Sequence, residues 1–213
     1  MRTEKILEML KKGQLDQIQT ILEDELYQDS LKINPSAKKR YTAMKKYFSY
    51  TDSAREVLCK PCVIEFESKQ YTSFTNSWSL VLTTEDTGEI ELFNTENGNY
   101  PDVGRLVRFD GIKKKIDINK VIAEAKSKGY KLNKKEVGAG FKYLMMYDDT
   151  YYKIGLLDMS YRIIDNGEVA LTYHPYGEKM PLTIQTDIGL CMLMPVYMHD
   201  GEPSEEHVIV EVK

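Results

Sequence analysis

Apolar residues recur at helical spacing through residues 3–30: Ile6, Leu7 and Leu10, then Ile18, Ile21, Leu22 and Leu26. That spacing predicts amphipathic helix. Gly13 divides it into two helices, with Thr3 and Asp16 near their starts as cap residues. Asn34-Pro35-Ser36 breaks the pattern and opens a third helix, basic on one side (Lys38, Lys39, Arg40, Lys45, Lys46) and apolar on the other (Tyr41, Met44, Tyr47, Phe48). The second helix is acidic, with Asp16, Glu23, Asp24, Glu25 and Asp29, so pairing between these two helices would account for both charge sets. Asp52 to Leu58 predicts one or two more helical turns.

From Pro61 the period changes to two. Strands are expected at Val63–Ser68, Trp78–Thr83 and Glu89–Phe93, with a loop at 94–102 holding Asn97-Gly98 and Pro101. Arg105–Phe109 reads as extended and Ile112–Ile118 as a strand. Asn119–Lys131 is a helix with Asn119 as its cap, Val121, Ile122 and Ala125 as its apolar face, and Gly129 at its end. Strands follow at Gly140–Asp148 and Tyr151–Ile154 around an Asp148-Asp149 turn. A short helix, Leu156–Ile164, stops at Asn166-Gly167. Glu168–Tyr173, Leu182–Thr186 and Gly189–Met198 complete the strands, and Val208–Val212 alternates like an edge strand. The fold class is therefore α+β: a helical N-terminal segment and a β-rich remainder. The order strand–helix–strand–strand recurs in the second half without any repeat by identity.

Composition narrows the function classes. The chain has 213 residues, 42% hydrophobic and 29% charged, which suits a globular core in one large or two small domains. A net charge of −4 excludes a uniformly polycationic nucleic-acid binder and requires a local basic patch for any such role. No apolar run is long enough to span a membrane, and the N-terminus lacks a signal-peptide run. Three cysteines suit a reducing compartment, so a cytoplasmic protein is expected. The 15 tyrosines suit strands and half-exposed contact surfaces.

Candidate chemistry is sparse. Cys59-Lys60-Pro61-Cys62 is a CxxC pair, but it precedes a strand instead of opening a helix, and no tight motif supplies two more zinc ligands. His174, His199 and His207 form no metal or catalytic pattern, and Cys191 lies in an apolar strand. Gly138-Ala139-Gly140 is a turn and not a phosphate loop, and Asp148-Asp149 with Asp158 lacks further carboxylates for a metal. No catalytic residues, metal or cofactor are expected. The clearest asymmetry is basic: Lys113, Lys114, Lys115, Lys120, Lys126, Lys128, Lys131, Lys134 and Lys135 stand against Asp117 and Glu124. Such a stretch is either a solvated face or a surface that holds phosphates without reading bases.

Several short motifs occur in an order that resembles the bacterial DNA sliding clamp, the β subunit of DNA polymerase III. Tyr100-Pro101-Asp102-Val103-Gly104-Arg105-Leu106 is similar to the clamp interdomain linker. Lys115–Ile118 followed by the 119–131 helix stands where a clamp domain has its first strand and DNA-facing helix. Tyr152-Lys153-Ile154-Gly155-Leu156-Leu157-Asp158 resembles the second strand and helix, and Leu193-Met194-Pro195-Val196 the chain end. The resemblance divides the chain into a helical segment (1–35), a partial clamp-like domain (36–99), a clamp-like domain (100–198) and an acidic tail (199–213). A full clamp has three domains and this chain at most two. The extra N-terminal helices and the tail are further departures.

What the resemblance implies is a non-enzymatic protein associated with DNA or the replication machinery, of the short kind met in phage and mobile elements. Lys113, Lys114, Lys115, Lys120, Lys126, Lys128 and Lys131 would meet the DNA backbone, without sequence specificity. Leu157, Leu193, Met194 and Pro195 would line a peptide-binding pocket for replication proteins. A ring would need several copies of the chain. Two rival readings stand beside it: an interaction module that keeps the fold without a ring, and a small enzyme using Cys59, Cys62 or His174. The DNA reading requires the lysines of the 119–131 helix to converge with those of another helix, such as Lys38, Lys39, Lys45 and Lys46.

Overall fold

The computed structural model describes residues 2–50, 55–177, 179–197 and 208–212. Helix α1 (Arg2–Lys11) and helix α2 (Leu15–Ile33) are separated at Gly13, whose φ of +70° suits glycine. Helix α3 (Pro35–Lys46) starts with Pro35 at its first position. The Asn34 side chain accepts from the Ser36 and Ala37 amides, satisfying two of the helix's free donors. A 3-10 turn, Tyr47–Tyr50, extends it. Of the turns expected at 52–58, residues 51–54 lie outside the described residues and Glu56–Leu58 is a 3-10 turn.

Three antiparallel strands follow: β1 (Cys62–Phe66), β2 (Lys69–Thr75) and β3 (Ser79–Thr83). β2 escapes a hydrophobic-alternation reading because Lys69, Gln70, Thr72, Ser73 and Thr75 are polar. Its backbone pairs on both sides, and that decides its structure. Glu89–Phe93 is not a strand. The Phe93 amide donates to the Pro61 carbonyl, and the ring packs on Tyr100 with centroids 6.1 Å apart. Helix α4 (Val103–Leu106) is a single turn that takes Arg105 and Leu106 out of the extended stretch expected at Arg105–Phe109, and Val107 is extended.

The second half runs β4 (Ile112–Ile116), α5 (Ile118–Ser127), α6 (Lys134–Val137), β5 (Tyr143–Tyr147), β6 (Thr150–Lys153), α7 (Ile154–Ile164), β7 (Ala170–His174), β8 (Leu182–Thr186), β9 (Gly189–Leu193) and β10 (Val208–Val212). Asp117, and not Asn119, caps α5 by accepting from the Lys120 amide at 3.1 Å. The architecture is α+β, as its sequence predicts.

Seven strands form one antiparallel sheet in the order β1-β2-β3-β9-β8-β7-β4. Three form a second sheet, β10-β5-β6, in which β10 is parallel to β5. The large sheet has a two-fold character: α3 precedes the meander β1-β2-β3, α7 precedes the meander β7-β8-β9, and the meanders join antiparallel at β3 and β9. Strands from residues 62–83 and 112–193 therefore share one sheet.

α7 is the centre of the core. Every residue in it except Arg162 is buried, and it packs on β3 and β9 with α3, α5 and α6 beside it. A helix apolar on all sides is stable only when enclosed. On α3, Met44 and the following Tyr47 and Phe48 reach Phe74 of β2, and the Tyr47 hydroxyl meets the Ser79 hydroxyl at 2.8 Å. The opposite sheet face is covered by Val103, Val107 and Phe109, which pack on Leu80, Leu82, Leu190 and Met192. β3 and β9 are consequently buried throughout.

Gly155, in the first turn of α7, is where α6 comes closest: a Cβ there would overlap the Glu136 carbonyl. Gly→Ala inside a helix ordinarily gains about 1 kcal/mol. Gly155→Ala is expected to destabilise instead, by about 1–3 kcal/mol, because backbone must move. Urea denaturation measures this, and a gain in stability would show that α6 is free to shift.

Candidate functional site

A groove of about 860 Å³ lies between α3, α5 and α7. Helical spacing aims its walls. Asn119, Ile122 and Lys126 share one face of α5, Lys39, Ala43 and Lys46 one face of α3, and Asp158, Arg162 and Asp165 one line on and just past α7. Six cationic side chains (Lys38, Lys39, Arg40, Lys46, Lys126, Arg162) line it against two carboxylates, Asp158 and Asp165. In a chain of net charge −4 this is a concentrated positive patch.

The arginines are anchored. Arg40 donates to Glu85 Oε2 at 2.7 and 3.0 Å and to the Asp165 carbonyl at 3.3 Å. Arg162 grips buried Asp158 with two bonds of 2.6 and 2.8 Å, and the Tyr130 hydroxyl donates to the same carboxylate at 3.1 Å. The hydrogen bond to Asp158 pushes the Arg162 pKa up, and burial followed by the Asp158 charge raises that of Tyr130. This triad is mutually satisfied and forms a rigid floor. Lys38, Lys39, Lys46 and Lys126 are exposed and form no ion pair among the described residues. Four ammonium groups around a rigid floor can hold a polyanion by its charge. They supply no nucleophile–base pair.

The predicted lysines divide. Lys126 enters the groove. Lys128 lies roughly opposite it on the helix, bonded to Glu124 at 3.0 Å and to the Ile209 carbonyl at 3.2 Å. Lys120 pairs with Asp117 at 3.3 Å. Lys113 lies over Tyr173 and Lys114 over Tyr147, on opposite faces of β4 because strand side chains alternate. Lys115 and Lys131 are exposed outside the groove. The partners of Lys126 come from α3, whose i, i+7 pair Lys39 and Lys46 is the sequence signal for the groove.

Among the pocket residues implied by the clamp resemblance, Leu157 and Leu193 are core side chains with no exposed surface, and Pro195 is buried. Met194 is exposed at the end of β9, and its amide donates to the Trp78 carbonyl at 2.9 Å. Trp78 is itself exposed, with the Lys153 ammonium 5.2 Å from its ring and 4.7 Å from Phe141. Burial lowers the Lys153 pKa.

Cys59 donates to the Arg55 carbonyl at 3.2 Å, and burial raises the pKa of both Cys62 and Cys191. No cluster of three or more His, Cys, Asp or Glu side chains that could hold a metal occurs among the described residues. Nor is any helix among them long and apolar enough to cross a membrane. No protein-family model and no curated protein matches the chain.

His174 is buried where β7 meets the small sheet, against the rings of Tyr147 and Tyr152. Its Nδ1 is 3.6 Å from Asp148 Oδ2. Burial lowers its pKa, and the Asp148 charge opposes this only in part. A histidine whose folded pKa lies below its unfolded value of about 6.5 favours folding above that pH and loses this contribution as pH falls. Chemical denaturation between about pH 7 and 5.5 is expected to show falling stability, with a shallower fall in His174→Leu. Parallel slopes in the two proteins would remove His174 as the cause.

Proposed function

We propose that the protein is a non-enzymatic, sliding-clamp-like DNA-associated protein that holds the phosphate backbone in the α3–α5–α7 groove. The observation that carries this reading is the convergence of Lys38, Lys39 and Lys46 of α3 with Lys126 of α5 on one groove. Phosphate contacts of this kind release counterions and carry no base sequence, so binding is nonspecific and steeply salt-dependent. The clamp resemblance supports the reading through the 119–131 stretch, whose helix α5 it makes DNA-facing and which contributes Lys126 to the groove. Encirclement would require several copies of the chain, placed so that the groove faces inward in a ring. Replication proteins would be the natural partners of such a clamp, in the cytoplasm.

The test is duplex DNA binding as a function of salt. Lys39→Ala/Lys46→Ala/Lys126→Ala is expected to weaken binding and to reduce the slope of log K against log salt by about 2–3. Lys113→Ala/Lys115→Ala, outside the groove, is expected to leave both nearly unchanged. Equal losses in the two variants would show that charge in general, and not the groove, binds DNA.

A further inference from the structure

α2 has two apolar faces and uses one. Ile18 and Leu31 are buried, and Tyr27 fixes the helix through the Tyr41 ring at 5.3 Å and the Asp86 carbonyl at 3.0 Å. On the other side Leu15, Leu22, Leu26 and Ile33 are 64, 45, 73 and 85% exposed. At 100° per residue they fall within about 20° of one line, a stripe about 27 Å long. Four large aliphatic side chains in one line on a 19-residue helix are not scattered surface residues. Their spacing of seven, four and seven is that of a coiled-coil seam.

Charge selects the occupant. The stripe is flanked on one side by Asp16 and Glu23, and Lys32 is already bonded to Asp29 at 2.6 Å. A second copy fits poorly. An antiparallel pair sets Glu23 against Glu23 of the second copy, and a parallel pair sets Asp29 against Asp29 within the seam. We propose that this face of α2 is a docking surface for an amphipathic helix of a partner protein, one with an aliphatic seam flanked by lysine or arginine. The surface is separate from the basic groove and stands whether or not the groove binds DNA.

The probe is a synthetic helical peptide of three heptads with leucine at the seam and lysine at the flanking positions, compared with one flanked by glutamate. Fluorescence anisotropy with the full chain at physiological salt is expected to show saturable binding of the lysine peptide, at least about tenfold tighter than the glutamate peptide. Leu22→Gln/Leu26→Gln keeps the charge and, with both side chains outside the core, is expected to keep the melting temperature. It should weaken the lysine peptide about a hundredfold. Asp16→Lys/Glu23→Lys should reverse the preference between peptides. Undiminished binding to the leucine variant, or no binding by the parent chain, would overturn the proposal. So would a dimer in sedimentation that dissociates in the leucine variant, because the second copy would then occupy the stripe.

Discussion

The antiparallel ladder between β3 and β9, from Ser79 opposite Leu193 to Thr83 opposite Gly189, holds the molecule together. It is the one seam at which the two meanders become a single sheet, and both strands are buried on both faces. The chain meets close tolerances there: a Cβ on Gly189 would collide with the Leu82 carbonyl. α7 lies across the seam and α3 lies beside α7, so the groove inherits its shape from this pairing. The lysines of α3 and α5 come together because both helices rest on α7.

Much of the fold is legible along the chain, and the misses have a common cause. Long periodic segments such as α2, α5 and α7, and the alternating strands β1, β3, β8 and β10, stand out because their apolar residues repeat at the period of the element. β2 does not, since five of its seven residues are polar and its strand character comes from two neighbours. Glu89–Phe93 shows the reverse: Ile90 and Leu92 alternate, but Ile90 packs against the core, Leu92 is exposed and the segment joins no sheet. The α4 and α6 turns are too short to leave a period.

The groove is less legible than the fold. The densest run of lysines, 113–135, is divided by local geometry, since strand alternation sends Lys113 and Lys114 to opposite faces and helix rotation separates Lys126 from Lys128. Only a three-dimensional arrangement could select Lys126 from that run and join it to Lys39 and Lys46, some eighty residues earlier. The anchoring pairs Arg40–Glu85 and Tyr130–Asp158 join residues 45 and 28 apart and are equally silent in the sequence.

The β3–β9 ladder also has a kinetic consequence. Its partners are separated by more than a hundred residues, so the seam closes only after most of the chain has been made, and its loop-closure entropy delays the central step of folding. Until then each meander carries an open, apolar edge strand, which is a template for pairing with another chain. A nascent or truncated product ending before residue 189 would display β3 without its neighbour. Aggregation during synthesis is then a route by which native protein is lost before the fold is complete.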